Sequence, residues 1–265
     1  MKWNKKQAAT WKDFKPPARL SKSEFKVVEG YVKKLKKDAN VLILGSTVEL
    51  RDLCYKYGIK PYVVDSKREV YEEWSKYLKN KPHDFFVNKD WLDMHFDIKF
   101  DLILGDCCFQ QLDKRCQKRL YQKMNNLLKE GGKSIQRTWV FDEKNHRDLR
   151  KEYLEAKKRV KKFKIPFQTA MYMGIVNSFF YASNGSLYAQ DCIKYLKKAV
   201  EDGIVPMKVY DTYEPLWRHY KNMNYYSTKE GFTKAIKKYL KIKNIAYGKD
   251  FYRKLCPIYI LVKRK

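Results

Sequence analysis

The sequence predicts an α/β protein: a mostly parallel sheet with helices on both faces, and an antiparallel hairpin at its C-terminal edge. Three observations carry this. From residue 41 to 141, short apolar runs alternate with amphipathic helical segments, and such βα alternation implies crossover helices between parallel strands. The last two strand-like runs, 241–247 and 257–262, are joined by a connection suited to antiparallel pairing. Between them and the βα region lies a segment, 142–226, that breaks the rhythm and reads as an inserted, mainly helical lobe.

Residues 1–20 are irregular, with Trp3, Trp11, Phe14 and the Pro16-Pro17 pair. Ser21 can cap a helix to about Lys37, where Phe25, Val28, Tyr31, Val32 and Leu35 recur at helical spacing. Strand 41–45 stops at Gly45, and a helix over 47–57 follows, capped by Ser46 or Thr47, with Leu50, Leu53 and Cys54 on one face. Strand 61–65 ends in Asp65, helix 67–79 follows, and a weaker strand at 84–88 precedes Asp90-Trp91. Strand 100–105 ends at Asp106, helix 113–129 stops at Gly131-Gly132, and a strand spans about 133–141. The inserted segment reads as a basic helix (146–163), an aromatic stretch (167–188), a helix (186–201) and a loop-like region (204–226). A helix at 228–240 leads into the closing strands. This divides the chain into an N-terminal segment and helix (1–38), a core (39–141 with 227–265) and the lobe (142–226).

With 265 residues the chain can bury a full core. The net charge of +28, from 58 Lys and Arg against 30 Asp and Glu, calls for a polyanionic partner such as RNA, DNA or an acidic surface. Six cysteines show no C-x-x-C and no regular framework, so reduced thiols in a cytoplasmic protein are expected. Four histidines (His83, His95, His146, His219) include none that pairs with a cysteine at zinc-ligand spacing, so no metal is expected. No apolar run is long enough to cross a bilayer, and the N-terminus lacks the apolar core of a signal peptide.

The run from Asn40 to Asp52 carries the most chemistry. A buried strand, a bare turn at Gly45 and the free N–H groups of a helix start make a cradle for a ligand edge. About twenty residues on, Asp65 stands where a carboxylate can accept hydrogen bonds from both hydroxyls of a ribose. By itself this window also fits an ordinary βαβ unit without a ligand.

In its ordered motifs the chain resembles a class I S-adenosylmethionine-dependent methyltransferase, over residues 1–141 and 227–265. More narrowly it resembles a subgroup whose first motif is Gly-x-Thr-Pro-Glu-Leu-Arg-Asp-Leu, read here as Gly45-Ser46-Thr47-Val48-Glu49-Leu50-Arg51-Asp52-Leu53 with Val48 replacing the proline. The Trp11-to-Ser21 entry, Asp65, Asp90-Trp91, Phe100-to-Asp106, Gly131-Gly132 and the terminal Pro257-Ile258-Tyr259-Ile260-Leu261 fit in the same order. The resemblance implies a Rossmann-like sheet and S-adenosyl-L-methionine as cofactor. It implies Ser46 and Thr47 beside the methionine part, Asp65 on the ribose, and Asp90 on the adenine amino group with Trp91 packed nearby. Glu49 would cap its helix or reach the cofactor's amino group. Asp106 would form the active-site wall, touching the cofactor and orienting the acceptor or taking its proton. Trp3 and Trp11 would suit a lid.

Cys107 and Cys108 follow the fourth strand, where a thiolate could attack C6 of a pyrimidine, but two small apolar fillers is the stronger reading. The basic run Lys157 to Lys164 reads as a solvated helix face, and the Tyr/Trp-rich stretches as lobe core or as base-stacking platforms. By location, Tyr172, Asn177, Tyr181, Trp217, His219 and Tyr220 are candidates for the acceptor pocket. Net charge favours RNA or another polyanion as acceptor. A small-molecule O- or N-methyltransferase and a catalytically silent RNA-binding module are the alternatives.

Overall fold

A computed structural model describes residues 4–141, 148–182, 186–220 and 223–264, without the side chains of residues 180–182 and 186. Trp3, His146 and the Tyr181 side chain lie outside the described residues. The helices are α1 (Lys5–Ala8), α2 (Lys22–Val32), α3 (Val48–Lys56), α4 (Arg68–Ser75), α5 (Lys114–Leu127), α6 (Leu149–Phe163), α7 (Phe167–Ala182), α8 (Ala189–Glu201), α9 (Met207–Trp217) and α10 (Lys229–Ile236). The strands are β1 (Val41–Leu44), β2 (Tyr62–Val64), β3 (Phe85–Val87), β4 (Phe100–Asp106), β5 (Leu128–Arg137), β6 (Ser186–Tyr188), β7 (Met223–Tyr225), β8 (Leu240–Ala246) and β9 (Ile258–Lys263).

Seven strands form one sheet in the order β3-β2-β1-β4-β5-β9-β8. The first five run parallel, and β9 pairs antiparallel with both β5 and β8. This is the predicted α/β architecture, a Rossmann-like, mostly parallel sheet with antiparallel strands at one edge.

Period-two alternation sorts the strands between two cores. Val41 and Ile43 pack with Val28 and Val32 of α2 and Leu50 and Leu53 of α3. Leu42 and Leu44 face the other way, into a core shared with Leu120 and Met124 of α5 and Phe232 and Ile236 of α10. Ser21 starts α2 with a full capping box: its hydroxyl accepts from Glu24 N–H while the Glu24 carboxylate accepts from Ser21 N–H.

The lobe has its own core. Residues 170–176 of α7 are buried on every side, packed against Cys192 and Leu196 of α8 and Val209 and Tyr213 of α9. The aromatic residues there are mostly lobe interior. Residues 157–163 of α6 and Lys164 after it are solvated as expected, apart from partly buried Arg159 and Val160, and Arg159 pairs with Glu152 at 3.0 Å.

Three expectations are corrected. The region 204–226 is not a loop: Pro206 precedes α9, whose Val209, Tyr213 and Leu216 recur at helical spacing and are buried, and Pro215 is held in its last turn. Gly131-Gly132 does not stop a helix. α5 passes directly into β5, and the glycines serve a bulge against β4, where a Cβ on Gly132 would lie 2.8 Å from Phe100 O. The third helix of the lobe starts at Ala189, because 186–188 pair with β7 as a strand. Among the described residues no helix is long and apolar enough to cross a membrane.

Candidate active site

Sheet register assembles the site. Leu44 lies beside Val64 on one flank and beside Gly105 on the other. The next residues, Gly45, Asp65 and Asp106, therefore share one level at the carboxyl edge of adjacent parallel strands, and all three line one cleft.

Gly45 has φ +82°, where an L side chain is strained, and its N–H donates to Val64 O at 2.8 Å. A Cβ there would sit 3.4 Å from Trp91 Cζ2, so the missing side chain keeps the cleft floor open. The expected capping by Ser46 or Thr47 is corrected. Thr47 occupies the N-cap position without a side-chain cap bond, and it lines the cleft. Buried Ser46 instead donates to Asp65 Oδ2 at 2.9 Å. Asp65 Oδ1 also accepts from Lys67 N–H at 3.1 Å, so its carboxylate orientation is fixed.

Glu49 does not line the cleft. It is half-buried, and desolvation pushes its carboxyl upward while Arg19 pulls it back from 2.6 Å. Arg19 also lies over the Trp11 ring, 4.8 Å from its centroid, fastening the N-terminal segment to α3. Trp91 lines the cleft and donates from Nε1 to Val64 O at 2.9 Å. Asp90 does not line it. β3 puts Asn88 level with Asp65, whose backbone oxygen accepts from Asn88 Nδ2, and the chain turns there. The Asp90 carboxylate accepts from Leu92 N–H at 2.9 Å, holding the turn that delivers Trp91.

Asp106 is paired in register with Arg137, which is 1 % exposed and was not foreseen. Arg137 donates to Asp106 Oδ1 at 2.8 Å, Glu24 Oε1 at 2.8 Å and Pro17 O at 2.5 Å. One buried cation thus fixes the wall carboxylate and the N-terminal segment together. Cys107, at φ +54°, lines the cleft, and Arg137 also reaches its Sγ at 3.3 Å. Burial pushes the Cys107 thiol well above its usual range. Cys108 is the apolar filler expected, its thiol turned to Leu44 O at 3.3 Å. Both Cys107 and Cys108 are held protonated, against the nucleophilic alternative.

Above the β1–β2 edge the cleft is walled by Gln7, Trp11 and Trp74, with the two indoles 4.6 Å apart. Above the β4–β5 edge it opens into an aromatic chamber of Trp139, Tyr172, Trp217, Tyr220 and Tyr226, with Asn224 and Gln110. Tyr172, Trp217 and Tyr220, three of the acceptor-pocket candidates, line the cleft. Asn177 is not among its lining residues, where Val176 stands. His219 is not among them either; its backbone oxygen accepts from Asn4 Nδ2 at 2.8 Å, joining the N-terminal segment to the lobe. Trp139, Tyr226, Asn224 and Gln110 were missed. Trp139 and Gln110 follow β5 and β4 as the other edge residues do, a positional signal that was available.

Although the chain has 58 Lys and Arg, none of the described residues lining this cleft is Lys, Arg or His. Its charged lining residues are Asp65 and Asp106. The basic excess is therefore exterior to the cleft.

No protein family's sequence profile matches the chain, and no curated protein matches it. Solved structures do share its fold. A putative Zn-dependent alcohol dehydrogenase from Rhodobacter sphaeroides has a TM-score of 0.56 at 12% identity, over 100% of both chains. The N-methyltransferase NodS from Bradyrhizobium japonicum, in complex with S-adenosyl-L-homocysteine, has a TM-score of 0.50 at 12% identity, over 99% of this chain and 100% of its own. An S-adenosylmethionine-dependent methyltransferase from Clostridium acetobutylicum has a TM-score of 0.50 at 14% identity, over 92% and 91%. At such identities the likeness establishes the fold alone. Among the described residues no group of three or more His, Cys, Asp or Glu is placed to hold a metal ion.

Proposed function

We propose that this chain is a methyltransferase that binds S-adenosylmethionine at the β1–β2 edge and methylates an acceptor held beneath the lobe. We place it in the subgroup marked by the Gly45-to-Leu53 motif. The observation that supports this most is the level alignment of Gly45, Asp65 and Asp106 along a cleft that runs into an aromatic chamber.

The residues present fit the cofactor. The open floor at Gly45 admits backbone-close approach, and a Cβ would intrude on it. Asp65 would accept from the ribose hydroxyls, its orientation fixed by Ser46 and Lys67, since a carboxylate offers about four acceptor sites. Trp11, Trp74 and Trp91 would pack on the adenosyl part, and Gln7, whose buried Oε1 has no partner, faces the same half. Thr47 would border the methionine part. Asp90 has its own turn to hold, so we assign it an indirect role through Trp91.

When bound, the cofactor would supply a methyl group on a sulfonium, a leaving group already activated toward an acceptor lone pair. The chain's part is mainly placement. Arg137 holds the Asp106 carboxylate at the junction of the two halves, where it can orient an acceptor N–H or O–H. Burial pushes the Tyr172 phenol upward, so it stays a neutral hydrogen-bonding group. The lobe and the N-terminal segment, joined through Asn4, shield the reaction from water.

RNA as acceptor is a second reading, favoured by the net charge of +28. The chamber, whose described lining holds no Lys, Arg or His, favours a small molecule. A silent RNA-binding module predicts no cofactor affinity at all. Calorimetric titration with S-adenosylhomocysteine separates that module from both enzyme readings.

A further inference from the structure

Two buried polar atoms on residues of the chamber have no hydrogen-bond partner among the described residues. Gln110 is 3 % exposed, and its amide nitrogen donates to Trp139 O at 2.8 Å and to Thr138 Oγ1. A backbone carbonyl can only accept, so this contact fixes which way the amide points, and Oε1 is left buried without a donor. The Trp139 Nε1–H is likewise buried without an acceptor. The bond from the Gln110 side chain to the Trp139 backbone joins the two residues, and both line the cleft. Orphans of this kind are few in native proteins, and lining a cleft they point to a ligand.

The surroundings narrow the class. Trp139 packs edge-on against Tyr172 with centroids 5.5 Å apart and lies parallel to Tyr226 at 6.1 Å, while Tyr172 meets Trp217 at 5.6 Å. These walls favour a flat, apolar-faced molecule. A phosphate or carboxylate would have to be desolvated beside Asp106 with no Lys, Arg or His among the described lining residues to receive it, an unfavourable exchange.

We propose that the acceptor subsite takes an uncharged planar heterocycle or amide, whose edge offers an acceptor to Trp139 Nε1–H and a donor to Gln110 Oε1. This rests on the methyltransferase reading. It assigns the +28 charge to the exterior and separates it from acceptor recognition.

The test uses the full chain saturated with S-adenosylhomocysteine, whose own titration reports on the cofactor site separately. Two matched sets of probes are compared by binding: neutral heteroaromatic amides and lactams, and the same rings carrying a phosphate or carboxylate. Total RNA is offered in parallel with radiolabelled S-adenosylmethionine. The expected result is binding within the neutral set, at least tenfold weaker binding by the charged counterparts, and about a tenfold loss of the neutral binders in Trp139→Phe, which keeps an aromatic ring and removes the N–H. Gln110→Ala gives a second, independent loss. Binders confined to the charged set, neutral binders indifferent to both substitutions, no neutral binder at all, or label transferred to RNA would each overturn the assignment. If the cofactor analogue binds in any of those cases, the methyltransferase reading stands without it.

Discussion

Arg137→Met tests the buried charge network most sharply. The substitution keeps an unbranched chain of similar length and removes the cation. Arg137 lies between Glu24 and Asp106, each 2.8 Å away, with side-chain exposures of 1 % for Arg137, 1 % for Glu24 and 6 % for Asp106. Breaking a buried pair costs about 3–5 kcal/mol, because the remaining charge is left uncompensated. At roughly 2–4 °C per kcal/mol for a chain of this size, the melting temperature should fall by roughly 6–20 °C.

The loss should also depend on pH. Burial raises the Glu24 pKa from its ordinary 4.5, and Arg137 is the largest influence pulling it back. A carboxyl raised in the folded state binds a proton there that the unfolded chain has released, so stability falls as pH rises from the unfolded value through the folded one. Without Arg137 the folded value climbs further and that window widens upward. The variant should therefore be closest to the wild type near pH 5 and furthest from it near pH 8, in calorimetric melts at both. A loss below about 1 kcal/mol, the range of exposed pairs, or an equal loss at both pH values would refute the reasoning.

Other outcomes follow from the same geometry. Gly45→Ala should lose about 1–2 kcal/mol of stability through its positive φ, and should weaken S-adenosylhomocysteine binding by placing a methyl against Trp91; a variant with unchanged affinity would show that the turn is not a ligand floor. Cys107 should react with iodoacetamide more slowly than a free thiol at pH 8, and faster only as pH rises well above 9, because burial holds it protonated; mass mapping that finds it alkylated at the free-thiol rate would contradict this. Trp11→Ala removes an indole packed on Trp74 and beneath Arg19, so the N-terminal segment should become sensitive to limited proteolysis and the cofactor analogue should bind more weakly; unchanged protection would deny the segment its covering role.

The parts of the site legible in the sequence were those set by local pattern and strand register. Gly45, Asp65 and Asp106 each follow an apolar run, and parallel pairing brings such positions to one edge. Asp90 lies three residues beyond β3, where loop geometry and not strand register decides position, and its carboxylate accepts from Leu92 N–H outside the cleft lining. Arg137 was invisible because its partners Pro17, Glu24 and Asp106 are scattered, the first two more than a hundred residues away. In α9, the helical spacing of Val209, Tyr213 and Leu216 was present but was masked by Pro215 and the density of aromatic residues. The net charge pointed toward a polyanion, yet how charge distributes between cleft and exterior depends on folding, which composition cannot report.

The measurement closest to the central claim is calorimetric binding of S-adenosylhomocysteine to the wild type and to Asp65→Ala. Two charge-assisted hydrogen bonds to a ribose, at about 1.5–3 kcal/mol each, predict saturable one-to-one binding by the wild type and a loss of at least a hundredfold in the variant. No binding by the wild type, or equal affinity in the variant, would contradict the account.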